Sequence, residues 1–282
     1  MSRVFILFND LANNGKGGEQ AKKVEEYLQG EYVYEDITKI DDMKAYLAGL
    51  EADDEVVVCG GDGTISRFAN DTKDVDYKNN IYFYPCGSGN DLYREIGDLE
   101  NPIPVRVEQY IKNLPTVEVK GKTYTFLNGV GYGVDGYCCE VGDQYREKGE
   151  KDINYTSIAI KGLLFHYKAT NAKVTVDGKE YNFKKVWIAP TMNGKYYGGG
   201  MIPAPNQKRL SDDKIISVMV FGGWGRIRTL MAFPSIFKGE HVNKKCVTVL
   251  EGKDIKVEFD GPRPLQIDGE TILGVTSYEA KV

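Results

Sequence analysis

The chain has 282 residues, a formal net charge of −5 at pH 7, 41% hydrophobic and 27% charged residues. This is the composition of a globular protein with room for two domains, and its acidic balance argues against a nucleic-acid binder, which needs clustered Lys and Arg. The two histidines and five cysteines lack metal-ligand spacing, so we expect reduced thiols and a soluble, cytoplasmic protein.

The first half of the chain alternates strand-like and helix-like segments. Buried strands are predicted for four apolar runs, at residues 3–9, 32–38, 55–59 and 81–85. Helical spacing of apolar residues occurs in segments 19–30 and 41–50, and Asp41 or Asp42 is the expected cap of the second helix. Such alternation predicts a parallel sheet with helices on both faces. We therefore expect an α/β domain over residues 1–120.

The second half of the chain has a different pattern. Strand-like runs separated by turn signals occur at residues 124–130, 172–178, 185–192, 214–221, 246–250, 254–259 and 265–270. Segment 154–169 is expected to contain one helix. This spacing predicts a mainly β domain over residues 121–274, with the boundary near Lys120–Gly121.

Two glycine-rich loops each join a predicted strand to a predicted helix: Gly-Gly-Asp-Gly-Thr at 60–64 and Gly-Ser-Gly-Asn-Asp at 87–91. Ligands of parallel sheets bind beyond the carboxyl ends of the strands, where glycines let the backbone approach a phosphate. Asp62 fits such a ligand if a divalent cation bridges the two. The alternatives are a plain Asp-Gly turn in the first loop and a helix-cap role for Asn90 or Asp91 in the second. Neither loop is a P-loop or a convincing dinucleotide fingerprint.

The sequences GGDGT and PCGSGNDLYREIG resemble the diacylglycerol kinase catalytic domain family, which includes bacterial lipid kinases, ceramide kinases and sphingosine kinases. Further blocks are similar to family motifs in the same order, at residues 8–17, 126–137, 193–220 and 265–270. The resemblance implies an N-terminal domain like those of NAD kinase and phosphofructokinase, a C-terminal β-sandwich for the lipid substrate, and ATP in the cleft between them. In such proteins the end of the chain often returns to the first domain, and here this would be residues 275–282.

The activity implied by the resemblance is transfer of the γ-phosphate of ATP, with Mg²⁺, to a hydroxyl of diacylglycerol or a related lipid. A membrane would present this lipid, so transient contact with the inner membrane face is expected. No nucleic-acid partner is expected. A homodimer is left open as an alternative. One alternative is an NAD kinase, which shares the GGDGT loop, although block 126–137 is not the block expected of that enzyme. The other alternative is a degenerate kinase that binds nucleotide or lipid without turnover.

The resemblance also assigns roles to residues. It places ATP at Asn9, Thr38, Gly60, Gly61, Asp62, Gly63, Thr64, Ser88, Asn90 and Asp91. Asp62 would also bind the catalytic Mg²⁺, and Asn9 has the alternative role of pinning neighbouring loops together. Glu270 matches the residue usually assigned as proton acceptor in bacterial members, whereas the counterpart of Asp62 has been favoured in sphingosine-type members. From the resemblance we favour Glu270 as the base and Asp62 as the metal ligand. Without the resemblance, the alternative for Glu270 is an exposed Asp-Gly-Glu turn.

A structural Mg²⁺ loop is implied at residues 209–215, with backbone oxygens of Leu210 and Ile215 and the carboxylate of Asp213. The alternative is a solvated acidic turn. In this loop, Lys214 stands where the family usually has Gly. A second departure follows the first glycine loop, where Ser66-Arg67 replaces an Asn-Glu pair. Arg67 would then either contact phosphate or weaken a metal network. Segment 222–239 mixes aromatic and basic residues, which is typical of an interfacial membrane segment or of a helix packed on its own domain.

Overall fold

A computed structural model gives the structure of the protein and describes residues 2–10, 16–150 and 153–282. The chain divides into two compact units, Met1–Leu114 and Pro115–Val282. The division falls a few residues before the predicted boundary at Lys120–Gly121.

The first unit is an α/β structure, as predicted. Its strands are β1 (Arg3–Phe8), β2 (Glu31–Asp36), β3 (Glu55–Gly60), β4 (Asn80–Pro85) and β5 (Val105–Arg106). Its helices are α1 (Gly17–Ala21), α2 (Met43–Ala48), α3 (Asp62–Asp71), α4 (Asp91–Ile96) and α5 (Glu108–Ile111), with 3₁₀ turns at Lys22–Glu26 and Ile37–Lys39. The sheet order is β2-β1-β3-β4-β5, and only β5 is antiparallel to its neighbour.

Three of the apolar runs predicted as strands form β1, β3 and β4 in the middle of this sheet, and the run at 32–38 forms the edge strand β2. Val4, Ile6 and Val57 are completely buried, and Ala21 and Val24 of the α1 region pack against them. The helix expected over 19–30 is shorter than predicted, since α1 passes into a 3₁₀ turn that ends at Glu26.

The winding of the sheet defines where a ligand is expected. The chain passes from β1 outward to β2 and then returns to β3 on the other side of β1. The direction of winding therefore changes between β1 and β3, and such a switch point is the usual ligand site of an open parallel sheet. Asn9 follows β1 at this point, and the first glycine loop follows β3.

The second unit is built on an antiparallel sheet of ten strands, described in the order β13-β12-β11-β8-β14-β15-β6-β7, with β9 between β10 and β14. The strands are β6 (Thr116–Val119), β7 (Lys122–Thr125), β8 (Gly129–Tyr132), β9 (Thr170–Val176), β10 (Lys179–Val186), β11 (Thr191–Met192), β12 (Ile216–Phe221), β13 (Val247–Gly252), β14 (Asp254–Ile267) and β15 (Glu270–Lys281). The helices are α6 (Val134–Glu147), α7 (Tyr155–Lys161), a π-helical turn (Gly162–His166) and α8 (Arg226–Ala232), with 3₁₀ turns at Phe233–Lys238 and Glu240–Asn243.

The largest buried cluster of this unit is formed by the strands, and a second cluster lies between the strands and the helices. Alternate residues of the strands, such as Val174, Val218, Val257 and Tyr278, are buried in a single cluster. The mainly β domain expected from the second half of the sequence is thus confirmed, and it has a sandwich-like core.

The long hairpin of β14 and β15 turns at Asp268 and Gly269, whose φ angles are 47° and 98°. Two positive φ angles are the geometry of a two-residue hairpin turn, for which Asp-Gly is a favoured sequence. The resemblance implied that residues 275–282 return to the first domain. In the structure they largely belong to β15, and Ala280 pairs with Val117 of β6 inside the second unit.

Candidate active site

The first glycine loop is a tight junction between β3 and α3. Gly61 is the N-cap residue, and its carbonyl accepts the N–H groups of Thr64 and Ile65 at 3.0 and 3.2 Å. A Cβ atom at Gly60 would lie 2.5 Å from the Thr64 side chain, whereas a Cβ at Gly63 would have no atom within 4 Å. The loop is therefore packed at Gly60 and open at Gly63.

The second glycine loop is held by Asn90, which has left-handed backbone geometry (φ 52°). The Asn90 side chain accepts the Gly87 N–H at 3.0 Å and donates to the Gly87 carbonyl at 2.6 Å. Ser88 is exposed at the tip of this loop. A Cβ at Gly87 would lie 2.4 Å from the Cα of Gly61, so the two loops touch through their backbones.

Asp62 ties the two loops together. Its carboxylate oxygens accept the N–H groups of Asp91 and Leu92, at 2.9 and 3.0 Å, and so cap α4. Asn9 donates from Nδ2 to Thr64 Oγ1 at 3.0 Å. The chain segments that follow β1, β3 and β4 therefore meet at one place, at the winding switch of the sheet. Sequence reasoning missed this capping role of Asp62.

Other residues assigned from the sequence lie around this place. Asp91 is 4% exposed, and its Oδ1 lies 3.9 Å from Arg94 Nε. Thr38 follows the edge strand β2, and its N–H and its hydroxyl both donate to Asp36 Oδ1. Its hydroxyl is therefore bonded within the local turn. Residues 11–15 of the block at 8–17 lie outside the described residues.

Arg67, which reverses a charge of the family pattern, lies on the exposed side of α3. Its side chain is 68% exposed, and Nε is 3.6 Å from Asp71 Oδ2, one helical turn away. Ser66, its neighbour, is buried at 7% exposure. The guanidinium of Arg67 thus pairs with a carboxylate of its own helix.

In the second unit, Asp268 organises the predicted Asp-Gly-Glu motif. Its carboxylate accepts the backbone N–H groups of Leu127, Asn128 and Gly129, the last two at 2.8 and 3.1 Å. Its own N–H donates to the Gly129 carbonyl at 3.1 Å. Glu270 follows this turn as an exposed residue at the start of β15. Asp268 therefore fixes the turn, a role that sequence reasoning did not assign.

Side chains of the block at 193–220 also form hydrogen bonds with residues 127 and 128. Arg209 donates to the carbonyl of Leu127 and, at 2.8 Å, to Asn128 Oδ1. The Asn193 side chain donates to the same Leu127 carbonyl at 2.8 Å, and Gln207 Nε2 bonds to the Asn193 carbonyl at 3.2 Å. Three sequence blocks thus meet at residues 127–129. The only sequence signal for this network was that polar residues recur within those blocks.

The implied Mg²⁺ loop forms an exposed turn. Leu210 is 49% exposed, Asp213 is exposed, and the Ile215 carbonyl accepts Gln207 Nε2 at 2.7 Å. Lys214 has a φ angle of 44°, the left-handed region that glycine adopts without strain. Within the described ranges, no group of three or more His, Cys, Asp or Glu side chains could hold a metal ion. The ligand set of Leu210, Asp213 and Ile215 remains a prediction.

Asp135 is a buried carboxyl that sequence reasoning did not single out. It lies in the first turn of α6, is 7% exposed, and accepts the Tyr197 hydroxyl at 2.5 Å. Burial raises the pKa of Asp135 to about 7, and the Tyr197 hydrogen bond opposes that increase. A Cβ at Gly131 would touch both Asp135 and Gln266, and Gln266 accepts the Gly269 N–H at 2.7 Å. Asp135 therefore lies beneath the turn that carries Glu270.

Among the described residues, no helix is both long and apolar enough to cross a membrane.

Comparisons with known proteins agree with this geometry. Residues 3–119 match the diacylglycerol kinase catalytic domain, and residues 128–282 match the YegS C-terminal NAD kinase beta sandwich-like domain. The chain is 27% identical over 246 residues to the "Putative lipid kinase YtlR" of Bacillus subtilis (strain 168), covering 79% of this chain and 75% of that protein. It is 26% identical over 215 residues to a diacylglycerol kinase of Mycobacterium tuberculosis (strain ATCC 25618 / H37Rv), covering 74% and 68%.

A solved structure shares the fold over almost the whole chain. The crystal structure of a "putative diacylglycerol kinase from Bacillus anthracis str. Sterne" has a TM-score of 0.67 and 19% sequence identity, covering 99% of this chain and 91% of that one.

Proposed function

Because the chain belongs to the diacylglycerol kinase family, with its catalytic domain and its YegS-type C-terminal domain, we propose that it is an ATP- and Mg²⁺-dependent lipid kinase. The acceptor in this proposal is a hydroxyl group of diacylglycerol or of a related lipid. The observation that carries it is the pair of touching glycine loops at the winding switch of the sheet, joined by the carboxylate of Asp62.

Phosphoryl transfer depends on holding the phosphates and neutralising their charge, and the first unit has suitable groups for both. The loop is open at Gly63, and the N-terminus of α3 contributes positive potential there. Asp62 would hold Mg²⁺, because a carboxylate oxygen together with phosphate and water oxygens is the ligand set this ion prefers. The ion would supply charge neutralisation to the transferred group.

For the proton acceptor, we favour Glu270 over Asp62. The Asp62 carboxylate already accepts two backbone N–H groups of α4, so protonating it would weaken the junction of the loops. In the Asp-Gly-Glu motif, the structural bonds are made by Asp268, which leaves the exposed Glu270 for chemistry. A positioned base contributes about 10²–10⁴-fold to the rate.

The test is transfer of labelled γ-phosphate from Mg-ATP to diacylglycerol, ceramide and sphingosine in mixed micelles, and to NAD as a soluble acceptor. Glu270→Gln is expected to lower the turnover rate by about 10²-fold or more with little change in stability. Asp62→Asn keeps one oxygen for α4 but loses the charge that would hold the ion. It is therefore expected to weaken Mg²⁺ binding and to raise the Mg²⁺ concentration needed for activity. Glu118→Gln, an exposed carboxylate of the same unit as Glu270, is the control and is expected to keep full activity.

Two results would contradict the proposal. Label in NAD rather than in any lipid would indicate the NAD kinase alternative. ATP binding without label in any acceptor would indicate a degenerate kinase, and an Arg67→Glu variant would then test the charge reversal. At present the Arg67–Asp71 pair gives no support to that alternative, since Arg67 has a partner on its own helix.

A further inference from the structure

A buried amide holds the end of the turn at residues 209–215. Gln207 is 7% exposed, and its Nε2 donates to the Asn193 carbonyl at 3.2 Å and to the Ile215 carbonyl at 2.7 Å. Its Oε1 accepts the hydroxyl of Ser217. The nitrogen and the oxygen of this amide are thus both used within the protein. The Ile215 carbonyl, which the family resemblance gives to a structural Mg²⁺, therefore has a protein donor of its own.

Arg209 holds the beginning of the same turn. Its half-buried guanidinium donates to the carbonyl of Leu127 and, at 2.8 Å, to Oδ1 of the buried Asn128. The planar fork of an arginine can satisfy two acceptors in one fixed geometry, which the point charge of a lysine cannot do. The turn is therefore attached to residues 127 and 128 by a cationic side chain of the chain itself.

The charge of the turn opposes a divalent cation. Residues 208–214 have a net charge of +1, from three cations and two carboxylates (Lys208, Arg209, Lys214, Asp212 and Asp213). Mg²⁺ is usually held by one or two carboxylates, and neighbouring cations repel it. Lys214 adopts the left-handed backbone at a φ angle of 44°, and its N–H donates to the Ser211 carbonyl at 3.1 Å, so the turn is closed by its own backbone. The residues at 209–215 therefore do not fit the implied ion.

We propose that Arg209 and Gln207 hold this turn in place of a structural Mg²⁺, and that Arg209 thereby positions Glu270. The segment at 127–129 connects the two. Its carbonyl side receives Arg209, and its N–H groups donate to Asp268, whose turn carries Glu270. The positioning role rests on the proposed function, in which Glu270 accepts the proton, whereas the metal-free turn does not.

The first experiment measures the melting temperature of the nucleotide-free chain in EDTA and in excess Mg²⁺, for wild type and for Asp213→Ala. Wild type is expected to melt at the same temperature in both solutions, because side chains and not an ion hold the turn. Asp213→Ala is expected to melt with wild type, because Asp213 is exposed. An increase with Mg²⁺ that Asp213→Ala loses would overturn the proposal. An increase that Asp213→Ala keeps comes from an ion at another site and agrees with a metal-free turn.

The second experiment replaces the guanidinium. Arg209→Lys keeps the charge but loses the fork, so it is expected to lower the melting temperature by a few degrees. Turnover of the lipid acceptor is expected to fall about tenfold or more, with KM for Mg-ATP unchanged, because the proton acceptor is displaced while the glycine loops are intact. Lys208→Gln removes the neighbouring exposed cation and is the control, expected to match wild type in both measurements.

The two measurements separate a positioning role from a purely structural one. Full turnover in Arg209→Lys, or a loss of turnover that Lys208→Gln shares, would overturn the positioning of Glu270. If wild type phosphorylates no lipid, the proposed function fails, and the melting temperatures in EDTA and Mg²⁺ still decide whether the turn needs an ion.

Discussion

Replacing Asp135 by Asn is expected to remove a pH dependence of stability from the second unit. Asp135 lies under the hairpin turn with Tyr197 as its hydrogen-bond donor, and no basic side chain contributes to the shift of its pKa. Burial raises the pKa of Asp135 from its ordinary value of 3.8 to about 7, and the Tyr197 bond opposes this only in part. Asn has nearly the same shape and can still accept the Tyr197 hydroxyl, but it does not ionise.

The sign follows from proton binding. Between pH 3.8 and about 7 the folded chain keeps the Asp135 proton while the unfolded chain loses it, so unfolding becomes easier as pH rises. The loss is complete above the folded pKa and absent below the unfolded one. A shift of about three units at about 1.4 kcal/mol each gives roughly 4 kcal/mol over the whole range.

The assay is urea unfolding of wild type and Asp135→Asn between about pH 5 and about pH 8, within which most of the difference should develop. We expect the stability of the variant relative to wild type to increase by a few kcal/mol toward the higher pH. Asp143→Asn changes a partly exposed carboxylate on the same helix, paired with Arg146, and is the control, for which no such increase is expected. A variant whose stability differs from wild type by the same amount at every pH would refute the reasoning.

Three further changes test the loops and the turn. Lys214→Gly should raise the free energy of unfolding by about 1 kcal/mol, because Lys214 has a φ angle of 44°. Gly87→Ala should destabilise the first unit by a few kcal/mol, since its Cβ would lie 2.4 Å from the Cα of Gly61, whereas Gly63→Ala should leave thermal stability nearly unchanged. Asp268→Ala should lower the melting temperature, because it leaves buried N–H groups of residues 127–129 without their acceptor, at about 1–3 kcal/mol each.

Matched variants make two of these measurements decisive. Lys208→Gly, a lysine nearby without positive φ, should not stabilise the chain, and an equal gain in both variants would contradict the backbone argument. Asp212→Ala removes an exposed carboxylate and should have little effect on melting. If it costs as much as Asp268→Ala, the amide bonds of Asp268 do not fix the turn.

The sequence predicted the fold well where the signal is local. Apolar runs such as 55–59 became strands, and Asp42 caps α2 by accepting the Ala45 N–H at 3.0 Å. The α/β and β organisation was therefore predicted correctly, and the family was predicted correctly from the resemblance of the sequence blocks. The roles assigned to ATP-binding and metal residues stay predictions.

Helix α6 was missed because its sequence contains Gly136 and Gly142, which are unfavourable inside helices. The structure gives both glycines a packing reason. A Cβ at Gly136 would lie 1.9 Å from the Pro264 carbonyl oxygen, and one at Gly142 would lie 2.8 Å from Tyr155. Each glycine lets another segment of the chain approach α6 closely. No local pattern in the sequence shows such a contact.

The polar network of the second unit was missed for a related reason. Asp268 and Asn128 are 140 positions apart, and Arg209 and Asn128 are 81 apart. Local patterns report periodicity and turns, and they do not show which distant backbone amides a carboxylate will accept. The capping of α4 by Asp62 depends on a similar long-range contact.

The pairing of β6 with β15 has a consequence for synthesis on the ribosome. Val117 is translated 163 positions before its partner Ala280. The sheet of the first unit, in contrast, is complete by Arg106. We expect the first unit to fold while translation continues, and the second to close its sheet only after β15 has been translated, since long-range strand pairing is slow. During that interval β6 pairs only with β7, and its other side is an unpaired strand edge of the nascent chain.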